Sequence, residues 1–338
     1  ADVRAIFSPE HGFTGRAEGG EDIADTRLEG VRIFSLYGKT RRPTQEQMAH
    51  IDAFVYDIQD VGTRFYTYIT TLKYVMEGAA QAGLPVYVLD RPNPCGGILV
   101  EGPLLIPEFE SFIGALPIPI RYGLTCAELA AMMKGEGWVK GDIDLHLILM
   151  QGWERYHSWQ DTGLDWIPTS PNIPVSDSAV AFPGTGLLGG VILNQGLGTD
   201  EPFLLWGAPW VDPDRVAGLM PRVVLQGMRH ERVSFTPRAI AGKAQDPPYK
   251  DRVCQGMRIH IQDRSRFRSV QFSLELIRVV KEQYPKEIFR GSSSLNLMFG
   301  TDGLARFLQG ELSFPDLMDG VRRDEESFLR QRKPYLLY

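Results

Sequence analysis

Ala53-Phe54-Val55-Tyr56-Asp57-Ile58-Gln59-Asp60-Val61-Gly62 begins as a strand and ends as a cluster of chemistry-bearing side chains. Phe54–Ile58 is a short apolar run of the kind that fills a strand. From Tyr66 to Ala82 the apolar residues Ile69, Leu72, Tyr74–Met76 and Ala79–Ala80 recur at helical spacing, and Gly83 supplies a C-cap. Pro85–Leu89 is a second strand, closed by Asp90-Arg91-Pro92-Asn93-Pro94. A strand, a helix and a strand in that order predict a crossover unit and a parallel sheet.

The same alternation extends outward. Val3–Phe7 reads as a strand ending in Ser8-Pro9-Glu10-His11-Gly12-Phe13, and Val31–Leu36 as another. Thr44 with Gln47 forms a capping box that opens a short helix to Ile51, and Thr125 with Glu128 forms a second that opens a helix through Lys134. Residues 96–122, rich in Pro and Gly, predict a long irregular excursion, and Asp144–Met150 a further strand. Near Gln151 the texture changes to a Trp- and Pro-rich segment, which sets domains of 1–150 and 151–338. Beyond it the expectations are helices at Pro213–Met220 and Phe267–Tyr284, the latter the longest. Strands are expected at Arg232–Phe235 and Arg258–Ile261, and two short helices near Leu304–Leu308 and Arg322–Gln331.

The composition narrows the classes. The chain has 338 residues, 43% hydrophobic and 23% charged, with net charge −6. It carries no long basic stripe, so nucleic acid is not an expected partner. Its apolar runs are far shorter than the ~20 residues of a membrane span. Cys95, Cys126 and Cys254 are too few and scattered for a disulfide framework or a zinc site, and no metal or other cofactor is expected.

In open α/β sheets ligands bind beyond the carboxyl ends of the strands. Three apolar runs closed by polar groups therefore predict one site on one sheet edge. Glu10, beside an aromatic residue on a strand-end turn, is the candidate proton donor, and His11 its neighbour, suited to orient it, to cap a backbone carbonyl or to do chemistry. Asp57 and Gln59 share one side of their strand. Asp57 or Asp60 is then a second carboxylate and Arg64 a clamp for an anionic group. The plainer alternative makes Asp60 a helix cap and Arg64 its surface partner. Asp90 and Asn93 are candidate sugar-hydroxyl ligands, Glu101 a further carboxylate, and Asn172 a fixed amide in Ser170-Pro171-Asn172. Trp153, Trp159 and Trp166 offer a carbohydrate platform or, more commonly, interface core.

Gly184-Thr185-Gly186-Leu187-Leu188-Gly189 matches the dinucleotide fingerprint, but Pro183 precedes it and no first strand does, so it reads as a decoy. The metalloprotease, nucleophile-elbow and Walker patterns are missing from the sequence. Chemistry by carboxylates, amides, tyrosines and arginines suits a glycosidase best. Two alternatives stay open: a nucleotide- or phosphate-sugar enzyme, and a non-catalytic cell-wall sugar-binding protein.

With these residues in hand the chain resembles the bacterial exo-β-N-acetylmuramidases of the NamZ type. The blocks that carry the resemblance are Phe7–Phe13, Ser35–Gly38, Arg42–Thr44, Asp57–Gly62, Arg64–Ile69, Leu89–Pro94, Gly96–Gly97 and Glu101–Pro103. Pro117–Pro119, Ser170–Asn172 and Gly207–Trp210 continue it. The resemblance implies a Rossmann-like parallel-sheet N-terminal domain, a smaller α/β C-terminal domain and a cleft between them. It implies release of N-acetylmuramic acid from peptidoglycan-derived muramyl sugars, in a secreted or periplasmic setting. Glu10 takes the place of the family's acidic residue, and Tyr66 and Tyr68 fall in a matching block as substrate-binding candidates. The lactyl carboxylate of the substrate calls for an arginine, for which Arg64 and Arg121 are the candidates. Family members begin with an earlier strand, so the sheet is expected to lack it here.

Overall fold

The computed structural model describes residues 2–289 and 293–338. The first sheet is built by β1 (Ala5–Ser8), β2 (Thr26–Leu28) and β3 (Val31–Ser35). β1 lies parallel to β3, with Phe7 opposite Phe34, and β2 pairs antiparallel with β3 on its other side. α1 (Gln45–Met48) follows, and Thr44 and Gln47 close the expected capping box around it.

β4 (Phe54–Tyr56), α2 (Tyr68–Ala82), β5 (Val86–Leu89), α3 (Cys126–Gly135) and β6 (Leu145–Ile148) form the predicted crossover units. All three strands are parallel, in the order β4-β5-β6. Sequential order with crossovers of one hand puts both helices on the same face. Leu72, Met76 and Ala79 of α2 and Leu129 and Met133 of α3 are buried with Val86 and Val88 of the sheet. Gly83 ends α2 at φ 67, a left-handed C-cap that an L side chain would strain. Thr125 and Glu128 form the second capping box. The opposite face stays partly open: Val55 is 61% exposed and Ile148 50%. The single sheet edge expected from the sequence is thus corrected, because β1 and β4 belong to different sheets, with the Phe7 and Phe54 rings 5.2 Å apart.

The C-terminal half adds α4 (Ser176–Thr185), β7 (Leu205–Ala208), α5 (Pro213–Leu219), β8 (Met228–Phe235), β9 (Cys254–Ile261), α6 (Ser269–Gln283), α7 (Ser293–Phe299), α8 (Gly303–Gln309) and α9 (Phe314–Gln331). Its sheet is antiparallel, β7-β9-β8. α6 lies buried through Phe272, Leu276 and Val280. The Gly184 motif sits inside and just after α4. A Cβ on Gly184 would fall 1.8 Å from the Ser269 carbonyl oxygen, so this glycine lets α4 touch α6, and no strand feeds it. That removes the nucleotide reading.

α9, at 18 residues, is longer than α6 at 15, and it starts eight residues before the expected helix. Its buried residues (Leu317, Met318, Val321 and Phe328) are few among charges, with none between Val321 and Phe328, which hid the stripe. Phe328 packs into the N-terminal core, so the end of the chain returns to the first half.

Candidate active site

Glu10 sits on a tight turn after β1, where Gly12 N–H donates to Pro9 O at 3.1 Å. A turn closed this way takes negative φ at its third residue in the common type I form and positive φ in type II. Here that residue is His11, at φ 70, followed by Gly12 at φ 73. A non-glycine side chain in that region costs backbone strain, of the kind that persists where surroundings hold a functional turn. His11 Nδ1 donates to Ala17 O at 2.8 Å, since a carbonyl can only accept. Where the ring is neutral, this hydrogen bond leaves Nε2 as the lone-pair nitrogen.

The Glu10 carboxylate is engaged on both oxygens. Gly20 N–H donates to Oε1 at 2.9 Å, and Thr67 Oγ lies 2.6 Å from Oε2. Thr67 is the N-cap residue of α2 yet makes no side-chain cap; its hydroxyl turns to Glu10 instead. A hydroxyl both donates and accepts, so this contact survives a change in Glu10's protonation: it donates to the carboxylate and accepts from the acid. Tyr68 Oη donates to Thr169 O at 2.8 Å and approaches Glu10 O at 3.4 Å. Burial pushes its phenol up to about 12, with the charges of Glu10 and Asp60 acting the same way. Tyr37 is raised first by burial and then by the charge and hydrogen bonding of Glu10. Both tyrosines are neutral hydrogen-bond donors beside Glu10 at neutral pH. Tyr66 stacks edge-on against Tyr68, centroids 4.6 Å apart, and burial raises its phenol well above the ordinary range.

The C-terminal half closes round this turn. Glu18 accepts from Gln245 N at 3.0 Å, and Asn172 Nδ2 donates to Lys243 O at 2.8 Å. Asn172 therefore stands next to the site, but its amide holds the 240–245 loop.

Several expected ligands are elsewhere. Arg64 is fully buried, and its guanidinium donates to Pro103 O, Ile118 O and Met298 O at 2.8, 2.6 and 2.9 Å. Arg121 is 1% exposed and donates to Cys95 O, to Phe267 O at 3.1 Å and to Glu101 at 3.0 Å. Glu101 in turn accepts from Val270 N and Gln271 N at the start of α6. These three residues tie the halves together, which corrects the clamp and the further carboxylate. Asp90 caps α3 through Ala127 N at 2.9 Å and accepts from Tyr338 Oη at 2.7 Å. Asn93 donates to Leu124 O and accepts from Cys95 N, both at 2.8 Å. Neither is free to read a sugar.

Gln59 donates to Asp60 O and Pro92 O at 2.7 and 2.8 Å, bridging two strand-end loops. Asp57 is exposed and paired with Arg91 at 2.6 Å. Asp60 is 6% exposed, and its Oδ2 accepts from Gly62 N at 2.6 Å and from Tyr122 Oη. It keeps a turn rather than capping a helix, and Arg64 is not its partner. Burial drives its carboxyl up to about 6, against the lowering pull of Tyr122 and the Gly62 and Val61 N–H groups. Trp153 and Trp159 are buried, and Trp159 packs edge-on against Trp166, so this segment is core rather than a platform.

Thr67, Tyr37, Thr169 and the Gly20 N–H were not candidates from the sequence. Tyr37 lay within reach, since Ser35–Gly38 is one of the blocks carrying the resemblance.

Residues 1–177 match the family profile described as exo-beta-N-acetylmuramidase NamZ, N-terminal, and residues 180–338 the corresponding C-terminal profile. The chain is 36% identical over 339 aligned positions to the peptidoglycan beta-N-acetylmuramidase NamZ of Bacillus subtilis (strain 168), covering 99% of this chain and 80% of that protein. Two crystal structures of DUF1343 family proteins from Bacteroides fragilis NCTC 9343 superpose on it. One has a TM-score of 0.88 at 35% identity, over 99% of this chain and 86% of the other. The second has a TM-score of 0.79 at 32% identity, over 100% and 86%.

Proposed function

The chain belongs to the NamZ family, and from that premise we propose that it is an exo-acting glycoside hydrolase that releases N-acetylmuramic acid from the non-reducing end of peptidoglycan fragments. The observation that carries the reading at the level of residues is Glu10, a carboxylate on a strained strand-end turn, held by a backbone N–H and a hydroxyl that serves both of its protonation states.

In this reading the acid form of Glu10 gives its proton to the glycosidic oxygen as the bond to C1 breaks. Of the carboxylates singled out from the sequence, Asp60, Asp90 and Glu101 are held by protein donors and Asp57 by Arg91. That favours a route in which the substrate's own 2-acetamido oxygen attacks C1, so that one protein acid suffices. The Glu10 carboxylate then takes a proton from the water that adds to C1 as the bond between C1 and the acetamido oxygen breaks, and the free sugar leaves with both the acetamido group and the acid restored. Tyr37 and Tyr68 donate hydrogen bonds at the site and stay protonated. The substrate lies outside the cytoplasmic membrane, so a secreted or periplasmic enzyme is the matching proposal. Release activity confined to the cytosolic fraction of the source cell would count against it.

The test is release of free N-acetylmuramic acid from a muramyl–glucosamine disaccharide, with Glu10→Gln alongside. The variant is expected to fold and to lose about a hundredfold or more of turnover, the range of a lost general acid. A variant that keeps more than about a tenth of the wild-type rate removes Glu10 from the acid role. Binding of fragments without turnover in the wild type would point to a sugar-binding protein.

A further inference from the structure

A muramyl sugar differs from a glucosaminyl sugar by a lactyl ether that ends in a carboxylate, and Arg64 and Arg121 are buried and spent on other groups. A different arginine meets the requirement. Arg41 is exposed, and its guanidinium carbon lies 4.6 Å from the centre of the Tyr37 ring and 4.1 Å from that of Phe112. The two rings are themselves 5.5 Å apart. Among the described residues no carboxylate pairs with Arg41. The neighbouring acids are taken: Glu77 by Arg42 at 3.0 Å, Glu110 by Lys73 at 3.5 Å, and Glu10 by Thr67 and Gly20. Tyr37 links this patch to the acid, since Arg41 packs on its ring and the charge and hydrogen bonding of Glu10 raise its phenol.

Stacking uses the faces of a guanidinium and leaves its N–H edges pointing outward in the plane. Those edges match a carboxylate bidentately. The aromatic packing also fixes the long side chain in advance, so less rotamer freedom is lost on binding.

We propose that Arg41, held on Tyr37 and Phe112, binds the lactyl carboxylate of the substrate and sets the preference for muramyl over glucosaminyl sugars. This rests on the glycosidase reading, and its test does not need turnover. Calorimetry with free N-acetylmuramic acid, its lactyl methyl ester and N-acetylglucosamine would be run on the wild type, Arg41→Met and Arg41→Lys. Methionine keeps an apolar stem over the rings and removes only the charge and donors. The expected result is a loss of about tenfold or more in affinity for N-acetylmuramic acid in Arg41→Met, as for a lost hydrogen-bonded charge pair. Affinity for the ester and for N-acetylglucosamine should not change, and Arg41→Lys should recover part of the loss.

An equal loss for all three sugars, no loss for any, or a wild type that binds N-acetylmuramic acid no better than its ester would each overturn the proposal. Arg41-dependent binding in a wild type that turns over no disaccharide would keep this assignment and reject the hydrolase.

Discussion

Asp60 offers the sharpest quantitative check on the site's electrostatics. Its carboxyl is raised from 3.8 to about 6, chiefly by burial, and one of its oxygens has no hydrogen-bond partner among the described residues. The folded state therefore holds this proton more tightly than the unfolded chain does. Its contribution to stability is fully present below about pH 4 and is lost as the pH rises through about 6. A gap of about 2 pH units corresponds to ~3 kcal/mol once both states are ionised. At pH 4 only a small part of it has been lost, and at pH 8 nearly all.

Asp60→Asn removes the titration. The amide oxygen can take the place of Oδ2 and still accept from Gly62 N–H and Tyr122 Oη, with the amide nitrogen in the place of the unpartnered Oδ1, so any cost of the exchange is nearly independent of pH. The stability difference between variant and wild type should thus move in the variant's favour by ~2–3 kcal/mol between pH 4 and pH 8. Urea unfolding of both proteins at several pH values reads it, and other titrating groups, Glu325 among them, cancel in the difference. A difference that stays flat, or that moves toward the wild type at high pH, would refute the assignment of Asp60 as a buried carboxyl that ionises at a cost. Because Asp60 keeps a turn rather than meeting the sugar, the variant should also retain turnover within about tenfold, well short of the loss of a general acid.

Two further outcomes follow from packing. Arg64→Met should leave three carbonyls, the buried ones of Pro103 and Ile118 and the half-buried one of Met298, without their donor. At ~1–3 kcal/mol each this lowers the unfolding midpoint severely, while KM measured on the folded fraction stays near wild type; a selective rise in KM would return Arg64 to the substrate. Gly184→Ala forces α4 away from the Ser269 carbonyl and should destabilise by ~1–3 kcal/mol or more, with no heat of NAD binding in either protein. A neutral substitution there would mean that α4 and α6 are not in close contact.

What the sequence disclosed was local. Both capping boxes and the Gly83 cap were legible because each is made within about one turn of chain, by residue types suited to nothing else there. Glu10 was legible as an acid at a strand end. Its partner Thr67 was not, because a threonine 57 residues away becomes a carboxylate's neighbour only once β1 and α2 are placed. α9 was half read because its buried residues are thinly spaced among charges, so its extent depends on the N-terminal core that Phe328 enters.

The arginines show why residue type alone could not sort structure from function. The excursion over 96–122 has only one 3-10 turn, at Pro107–Phe109, so many of its carbonyls have no regular backbone partner. Buried carbonyls must be satisfied by something. Arg64 takes those of Pro103 and Ile118, Arg121 that of Cys95, and Arg155 those of Gly97 and Gly123. Arg332, next to the end of the chain, takes those of Gly97, Ile98, Tyr122 and Gly123. A guanidinium suits this work because it offers five donors from one planar group. The chemistry that equips an arginine to clamp a substrate carboxylate is the same chemistry that lets it stand in for a missing backbone ladder. Burial and the carbonyls of an irregular segment decide between the two roles. By that criterion Arg64, Arg121, Arg155 and Arg332 hold the excursion in place, whereas Arg41, exposed on the rings of Tyr37 and Phe112, has no such carbonyls to satisfy and fits the other role.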